Sequence, residues 1–328
     1  MMIAVDAVGG DHYPENPVAG AVLATGENPD IQILLVGPED VVSEELLKHS
    51  YDSSRIHLLH APQIIGMDES PSSAVKTKQS SSIAVGLAAH KQGKCSAFVS
   101  AGNTGALLAA STFILGKLEG VIRPTIVAPY PTIKGISLLI DAGANLEPKP
   151  EMILQFAKMG EIFCREIMGI ENPTVGQLNV GEEAEKGTDL QKNSHKLLSQ
   201  MKGYLGNIEG KDILFGKTDI YITDGFTGNV VLKFGESIPD ALQQMLSLTM
   251  KSEAVQEEMQ RQIYSILEKS LKTFNYEHVG GVPFLGVDGT SLVGHGGSSP
   301  VAIKNMIFSA AQCVEHKVNS KIISSLNN

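Results

Sequence analysis

Ala97-Phe-Val-Ser-Ala-Gly-Asn-Thr-Gly105 is a short apolar run that leads directly into Gly and Asn residues and then into a stretch with a helical pattern. The stretch predicts a strand over residues 97–100 and a helix from about Ala106. Glycines let the backbone take positive φ and approach a ligand, while the start of a helix offers unpaired N–H groups to an anion. This order of strand, turn and helix is typical of parallel strands joined by crossover helices.

Short apolar runs alternate with longer amphipathic segments over most of the chain. Besides residues 97–100, the predicted strands are residues 3–7, 31–36, 56–60, 125–128, 137–141, 175–178 and 220–223. We therefore predict an α/β fold with a doubly wound, mostly parallel sheet. No internal repeat or linker divides the sequence, so residues 1–328 are expected to form a single α/β domain or two interlocked subdomains.

Two further segments are predicted to be helical. Ser70 and Pro71 suit an N-cap and a first helical position, which predicts a helix that continues to about His90. Residues 237–272 contain no glycine and carry apolar residues at i, i+4 spacing, so we predict a protruding helical hairpin with a break near Ser252. Its methionine- and leucine-rich stripes suit an intramolecular or dimer-interface core, and contact with a membrane surface or an acyl chain stays open.

The composition limits the function classes. The chain has 328 residues, 26 Lys and Arg and 36 Asp and Glu, and its formal charge of −10 argues against nucleic acid as a partner. Cys95, Cys164 and Cys313 are far apart in sequence, so we expect buried, inert thiols rather than a zinc site or disulfides. The N-terminus lacks signal-peptide features and no apolar run is long enough to span a membrane, so we expect a cytoplasmic protein, with surface attachment to a membrane left open.

Four more Gly/Asn turns follow predicted strands or precede helices. They are Asp6-Ala-Val-Gly-Gly-Asp11, Asp141-Ala-Gly-Ala-Asn145, Asp224-Gly-Phe-Thr-Gly-Asn229 and Gly294-His-Gly-Gly-Ser-Ser-Pro300. Each turn alone is a common way for a strand to end. In a parallel sheet such turns lie along one edge, so we expect all five to converge on one crevice that binds an anion such as phosphate.

Motifs that would anchor other chemistries are missing. The chain has no Gly-x-Gly-x-x-Gly after its first strand, no Gly-x-x-x-x-Gly-Lys-Ser/Thr, no Gly-x-Ser-x-Gly and no His-Glu-x-x-His. An enzyme without an activated nucleophile can still transfer an acyl group when the second substrate is itself the nucleophile, as inorganic phosphate is. A thiol leaving group with a pKa near about 8.5 needs little acid assistance. The pattern favours acyl transfer to phosphate, with no cofactor and no metal.

Taken in order along the chain, the motifs resemble the bacterial phosphate acyltransferase family of phospholipid synthesis, which makes acyl phosphate from acyl-[acyl-carrier protein] and phosphate. The resemblance covers nearly the whole chain. Beyond the five turns it rests on Arg123-Pro124, Lys149-Pro-Glu151, Asn179-Val-Gly-Glu-Glu183, Lys186-Gly187, Gly206-Asn-Ile-Glu209, Leu232-Lys233 and Gly280-Gly281. It implies a homodimer, a fold similar to isopropylmalate dehydrogenase and phosphotransacetylase, and a later step in which a membrane acyltransferase consumes the acyl phosphate.

The resemblance and the turns together give candidate roles. The predicted catalytic residues are Lys186, Asn229 and His295, with a lysine balancing phosphate charge and His295 steadying the oxyanion or protonating the thiolate. The predicted substrate- and phosphate-binding residues are Gly9, Gly10, Gly102, Asn103, Thr104, Gly105, Asn145, Asn179, Thr227, Gly228, Lys233, Gly296 and Ser298. The anionic side chains of the turns are interpreted as braces that accept backbone N–H bonds; they are Asp6, Asp11, Asp141 and Asp224.

Departures from the family pattern and rival functions bear on these roles. Val8 replaces the family's usual methionine, and residues 75–80 are less basic than is usual. An acidic carrier protein would need a local basic patch, formed by Lys76, Lys78, Lys91 and Lys94 or by Arg261, Lys269 and Lys272. The alternatives are a phosphotransacylase that uses acyl-coenzyme A, a metal- and NAD-dependent hydroxy-acid dehydrogenase of similar fold, and a membrane-surface scaffold built on the hairpin.

Overall fold

The computed structural model describes residues 1–253, 255–271 and 280–327. The strands are β1 (Met2–Asp6), β2 (Gln32–Gly37), β3 (Ile56–His60), β4 (Ala97–Ser100), β5 (Thr125–Thr132), β6 (Gly135–Ile140), β7 (Val175–Asn179), β8 (Tyr204–Glu209), β9 (Ile220–Ile222), β10 (Val282–Leu285) and β11 (Ser291–Val293). The helices are α1 (Glu15–Glu27), α2 (Glu39–Leu46), α3 (Pro71–Thr77), α4 (Ser82–Lys91), α5 (Thr104–Ile114), α6 (Pro150–Ile167), α7 (Asp189–Leu198), α8 (Gly225–Ser252), α9 (Glu257–Ser270), α10 (Pro300–Glu315) and α11 (Val318–Leu326).

The chain forms two compact units, each built from separate segments of the sequence. Unit 1 comprises Met1–Val127, Leu154–Pro173 and the described residues from Gly280 onwards. Unit 2 comprises Ala128–Ile153 and the described residues between Thr174 and Leu271. Strand β5 and helix α6 each contain a boundary between the segments, so neither unit is a continuous stretch of sequence.

Unit 1 contains strands in the order β3-β2-β1-β4-β11-β10, followed by the first residues of β5. The pairs from β3 to β11 are parallel, whereas β10 is antiparallel to both β11 and β5. The core includes α1 and α10, which pack so closely that a Cβ on Gly20 would lie 2.5 Å from the Cβ of Ile303. The strand order reverses between β1 and β4, and ligands of open α/β sheets bind beyond the strand ends at such a reversal.

Unit 2 contains the rest of β5 and the strand order β6-β9-β7-β8. The pairs β6/β9, β9/β7 and β7/β8 are all parallel. The chain passes from β7 outward to β8 and then returns to β9 on the other side of β7. The strand order therefore reverses between β7 and β9, and the loops that follow these two strands flank a second place suited to a ligand.

The structure confirms the α/β fold and all eight predicted strands, with small differences at their ends. Three strands escaped prediction. The β8 sequence contains a glycine, Gly206, with φ of +102°, while β10 contains Pro283 and β11 has only 3 residues. In each of the three, these features depart from the short apolar run followed by turn residues that is typical of most of the predicted strands. Strand β10 pairs with β5 and β11 pairs with β4, both of which are distant in sequence.

The single helix predicted from Pro71 to about His90 is wrong. It is two helices, α3 and α4, separated at residues 78–81. Ser81 forms an isolated bridge with Gln63, and its side chain accepts the N–H of Ala84, so it caps α4. Pairing with a distant segment therefore interrupts a sequence whose local pattern is helical throughout.

The structure confirms the predicted break in the helical pair of residues 237–272, but the predicted start of the first helix is wrong. Helix α8 begins at Gly225 and runs through Pro239 to Ser252, and α9 follows from Glu257. The segment Gly225–Asn229 is thus the first turn of a long helix, capped by Asp224, rather than a separate turn before it. Lys272 lies outside the described residues.

The imidazole of His90 joins α4 to the segment before β11. Its Nδ1 lies 3.0 Å from the carbonyl oxygen of Cys95, and its Nε2 accepts the N–H of Thr290 at 3.0 Å. Because Nε2 is an acceptor, the ring is neutral here, and burial is the main cause that lowers the pKa of His90 below its usual value.

We expect the free energy of unfolding to fall as the pH drops below about 6.5, because the unfolded chain then binds a proton that folded His90 excludes. This contribution reaches up to about 1.4 kcal/mol per pH unit. Urea unfolding at pH 7.5 and 5.5 should show a smaller decrease in the variant His90→Gln than in the wild type. Equal decreases in both proteins would contradict the assignment.

Candidate functional site

Three of the predicted turns lie against one another in unit 1. They follow β1, β4 and β11, which are adjacent parallel strands. The N–H of Asp11 donates to the carbonyl oxygen of Gly296 at 2.8 Å, and the N–H of Gly294 donates to Ser100 at 2.9 Å. A Cβ on Gly9 would lie 2.9 Å from the backbone nitrogen of Gly102. These contacts make one cluster at the β1/β4 reversal, which we call the first crevice.

A buried carboxyl group lies beneath the first crevice. The Asp6 Oδ2 accepts the hydroxyl of Ser100 at 2.6 Å, and Oδ1 accepts the N–H of Val8 at 3.2 Å. Ser100 in turn accepts the N–H of Gly102 at 3.0 Å. Burial raises the pKa of Asp6 above its usual value, and hydrogen bonds from Ser100 and other donors offset only part of this rise. Asp6 therefore braces two turns from below, as predicted, and Ser100 is a brace that sequence reasoning missed.

The first crevice retains backbone donors that could bind an anion. Within the described part of the chain, the N–H groups of Gly9, Gly10, Thr104 and Gly105 have no acceptor. Thr104 and Gly105 form the first turn of α5, where the helix dipole favours negative charge. The glycine at position 10 is required because its φ is +100° and a Cβ there would lie 2.8 Å from the Gly296 carbonyl oxygen.

The side chain of Asn103 is engaged within the fold. Its Oδ1 accepts the N–H of Ala106 and caps α5, while Nδ2 donates to the carbonyl oxygens of Gly66, Met67 and Glu69 at 3.0–3.2 Å. These bonds fasten residues 66–69 over the turn after β4. Asn103 thus shapes the first crevice, and its predicted contact with phosphate stays a prediction.

The turn after β11 presents an exposed histidine. The Nδ1 of His295 accepts the N–H of Gly297 at 3.1 Å, while the hydroxyl of Ser298 donates to the His295 carbonyl oxygen at 2.6 Å. Ser298 is buried, and Ser299 rather than Ser298 caps α10 through the N–H of Ala302. His295 is therefore held beside the first crevice with its ring exposed, whereas the hydroxyl of Ser298 is used within the turn.

The two turns after β6 and β9 pack together in unit 2 through glycines. A Cβ on Gly228 would lie 1.8 Å from the carbonyl oxygen of Asp141, and a Cβ on Gly225 would lie 2.7 Å from that of Asn145. The side chain of Asn229 lies against Gly143, 3.5 Å from where a Cβ would stand. The glycines in Asp224-Gly-Phe-Thr-Gly-Asn229 thus allow the first turn of α8 to rest directly on backbone.

Most donors of these two turns are already bound. Asp141 is fully buried and accepts the N–H groups of Gly143, Ala144 and Asn145 at 2.7–3.1 Å, together with the side-chain amide of Asn145. Asp224 accepts both the N–H and the hydroxyl of Thr227 at 2.8 Å. The interpretation of Asp6, Asp141 and Asp224 as braces is confirmed. Asp11 takes part in the first crevice through its backbone N–H, and its predicted role as an acceptor stays a prediction.

Asn229 and Lys233 extend from the exposed side of α8. Asn229 is exposed, whereas the ammonium group of Lys233 pairs with Glu236 at 2.7 Å. In the first turn of α8, the N–H of Gly225 donates to the Asn145 carbonyl oxygen and that of Thr227 donates to Asp224. The N–H of Phe226 has no acceptor among the described residues. An anion at this helix start would therefore meet few donors besides Asn229.

Lys186 lies in the loop between β7 and α7. This loop follows β7, one of the two strands at the β7/β9 reversal. The side chain of Lys186 is exposed, and no carboxylate in the described ranges lies within ion-pair distance of its ammonium group. The Asn229 turn follows β9, the other strand of that reversal. The two predicted catalytic residues of unit 2, Lys186 in a loop and Asn229 in the first turn of α8, therefore follow the two strands of one reversal, and we call this place the second crevice.

The three cysteines are buried, as predicted. Burial raises the pKa of Cys95 to about 11 and that of Cys313 to about 12, so these thiols are not ionised at neutral pH. Among the residues that the structure describes, no group of three or more His, Cys, Asp or Glu side chains is placed to hold a metal ion. No helix in the described ranges is both long and apolar enough to cross a membrane.

Comparison of the sequence with known proteins gives a match over nearly its whole length. Residues 1–321 match the family model described as "Fatty acid synthesis protein". The phosphate acyltransferase of Chlorobaculum parvum is 44% identical over 338 residues, covering 100% of this chain and 99% of the relative. That of Salinibacter ruber is 45% identical over 312 residues, covering 94% of this chain and 92% of the relative.

Among solved structures, a phosphotransacetylase from Streptococcus pyogenes has the same fold. It superposes with a TM-score of 0.61 at 15% sequence identity, covering 96% of this chain and 94% of that one. The fold similarity to phosphotransacetylase is thereby confirmed. Convergence of all five turns on one crevice stays a prediction.

Proposed function

Because this chain belongs to the phosphate acyltransferase family of fatty acid and phospholipid synthesis, we propose that it forms acyl phosphate reversibly from acyl-[acyl-carrier protein] and inorganic phosphate. The observation that supports this most is the match to phosphate acyltransferases along the entire chain. The carrier protein as acyl donor and the feeding of a membrane acyltransferase follow from the family resemblance.

In the proposed reaction, phosphate attacks the thioester carbonyl directly. The new bond joins a phosphate oxygen to the acyl carbon, and the carbon–sulfur bond breaks with the electron pair leaving on the carrier's thiolate. Cys95 and Cys313 are buried and neutral, and a buried neutral thiol is a poor nucleophile. This supports a reaction without a thiol acyl-enzyme. The protein's part is then to position phosphate and to stabilise the developing oxyanion.

Lys186 and Asn229 are proposed to act on phosphate at the second crevice. The ammonium group of Lys186 carries the uncompensated positive charge that a dianion needs, whereas Lys233 is already paired with Glu236. The exposed amide of Asn229 offers a further donor. In the first crevice, the N–H groups of Thr104 and Gly105 have no acceptor among the described residues and stay the predicted substrate-binding groups. His295 stays the predicted acid.

We expect Lys186→Ala to lower kcat/KM for phosphate by about 10- to 100-fold, the worth of a hydrogen bond to a charged group. Lys186→Arg should recover part of the loss. The matched control is Lys196→Ala, which removes an exposed lysine from α7 in the same unit and should leave the kinetics unchanged. Wild-type values in Lys186→Ala would remove the residue from the mechanism.

The function itself is tested by incubating the protein with acyl-carrier thioester, with and without phosphate, and trapping acyl phosphate with hydroxylamine. Product should form only with phosphate. Direct attack also predicts that labelled free carrier does not exchange into the thioester when phosphate is absent. Exchange under those conditions would show an acyl-enzyme.

The rival functions separate in the same assay. Acyl-coenzyme A offered in place of the carrier thioester tests the phosphotransacylase alternative. The dehydrogenase alternative is tested by measuring the absorbance of reduced nicotinamide when hydroxy acids and a divalent metal are supplied.

Of the basic patches proposed for the carrier, the first has Lys78 bound to Glu69 and to the carbonyl oxygen of Ile64. In the second patch Arg261 lies 3.7 Å from Glu258, so charge reversal has to be tested in both patches.

A homodimer and peripheral membrane contact are also proposed, both through α8 and α9. Apolar side chains of the two helices are exposed in the single chain, among them Met245 at 64% and Ile266 at 66%. Light scattering in solution tests the dimer, and flotation with anionic vesicles tests membrane contact. Vesicle binding without phosphate-dependent loss of thioester would favour the scaffold alternative.

A further inference from the structure

We propose that Asn207 and Asn179 are positioning residues for Lys186: their side-chain amides fix the peptide groups of Lys186 so that its ammonium group stays at the second crevice. This inference rests on the proposed function of Lys186. Neither residue needs to touch a substrate, and both act through the loop that joins β7 to α7.

Asn207 reaches this loop from the neighbouring strand. It lies on β8, only 5% exposed, and its Nδ2 donates to the carbonyl oxygen of Glu183 at 3.0 Å. The same oxygen accepts the N–H of Lys186 at 3.1 Å. A single carbonyl group therefore links the buried amide of Asn207 to the backbone nitrogen of Lys186.

The orientation of the Asn207 amide is itself fixed. Gln177 is its cross-strand partner on β7, and Gln177 Nε2 donates to Asn207 Oδ1 at 3.0 Å and to the carbonyl oxygen of Gln191 at 2.9 Å. If Asn207 turned over, it would lose both of its bonds in a buried place, where an unpaired polar group costs about 1–3 kcal/mol. The NH₂ group therefore faces Glu183.

Asn179 holds the other side of Lys186. Its Nδ2 donates to the Lys186 carbonyl oxygen at 3.2 Å, and its Oδ1 accepts the N–H of Val180 at 2.9 Å. The next residue, Gly187, has φ of +87°, and a Cβ there would lie 2.4 Å from Asn179 Oδ1, so only glycine lets the loop close here. Because both ends of its amide are bound within the loop, Asn179 is better assigned to positioning than to phosphate.

The first test is Asn207→Asp, which keeps the shape of the side chain and its bond from Gln177 but places an oxygen against the Glu183 carbonyl. We expect kcat to fall about 10- to 100-fold, the usual effect of displacing a catalytic group by about 1 Å, with KM for the thioester unchanged. Asn193→Asp is the matched control, since it makes the same change at an exposed position on α7. Asn179→Asp is the second variant, in case Asn207→Asp does not fold.

Two readouts separate positioning from general destabilisation. In a Lys186→Ala background, Asn207→Asp should add no further loss of kcat, because its effect passes through Lys186. Trypsin should cleave after Lys186 faster in Asn207→Asp than in the wild type or Asn193→Asp. A full further loss in the double variant, or equal cleavage rates, would overturn the positioning role. Wild-type kinetics in Lys186→Ala alone would instead overturn the proposed function of Lys186.

Discussion

Gly228→Ala is expected to destabilise the protein by about 3 kcal/mol or more and to reduce acyl phosphate formation by about 100-fold. The added Cβ would stand 1.8 Å from the carbonyl oxygen of Asp141, which is backbone and cannot turn aside. Overpacking of this kind costs typically about 1–3 kcal/mol, and a clash with backbone belongs at the upper end. The start of α8 would move, and Asn229, the next residue, would move with it.

The matched control for this prediction is Gly26→Ala in α1, where an added Cβ would meet no atom within 4 Å. That change should stabilise the protein by about 0.5–1 kcal/mol, because alanine loses less backbone entropy in a helix. Urea unfolding and the hydroxylamine assay measure both effects. A Gly228→Ala protein with wild-type stability and rate would show that the first turn of α8 moves freely.

Asp141→Ala is expected to cost about 3 kcal/mol or more of unfolding free energy. Its carboxylate is fully buried and accepts three successive backbone N–H groups, each bond to a charged acceptor being worth about 1.5–3 kcal/mol. Without it, the Gly143–Asn145 turn has no acceptor to fold around. Because α8 rests on this turn, activity should be lost as well.

Asp224→Ala provides the comparison with a smaller expected effect, since its half-buried side chain is an N-cap that, among the described residues, accepts hydrogen bonds from Thr227. An N-cap is worth about 1 kcal/mol, so its urea midpoint should lie between those of the wild type and Asp141→Ala. The reverse order of midpoints would contradict the view that Asp141 organises the turn.

The sequence predicted eight of the strands, the order of the turns and the bracing by Asp6, Asp141 and Asp224, because these depend on local patterns. A run such as Ala97–Ser100 is apolar within itself, and the glycines after it mark the turn without reference to any distant residue. The long helix α8 was predicted only from residue 237, because Gly225, Gly228 and Gly235 have low helix propensity. The structure explains their presence: each lies where a side chain would strike Asp141, Asn145 or Tyr130.

The use of each polar side chain could not be predicted in the same way. Asn103 and Thr227 have the right chemistry for phosphate, but their groups bind within the fold. The partners of the Asn103 Nδ2 group lie 34 to 37 residues away in sequence, which no local pattern reports. Asn207 was overlooked for the same reason, because its neighbours Gln177 and Glu183 are brought to it only by the pairing of β7 with β8.

Strand β4 lacks one of its neighbours in the sheet until β11 has been synthesised on the ribosome. Strand β4 is complete by Ser100, but its second neighbour in the sheet is residues 291–293, far along the chain. While most of the intervening chain is being synthesised, one edge of β4 therefore has unpaired N–H and C=O groups beside the apolar residues Phe98 and Val99. Such an edge readily pairs with other chains. The newly made protein should therefore depend on chaperones until β11 has been synthesised, and truncation before β11 should cause aggregation.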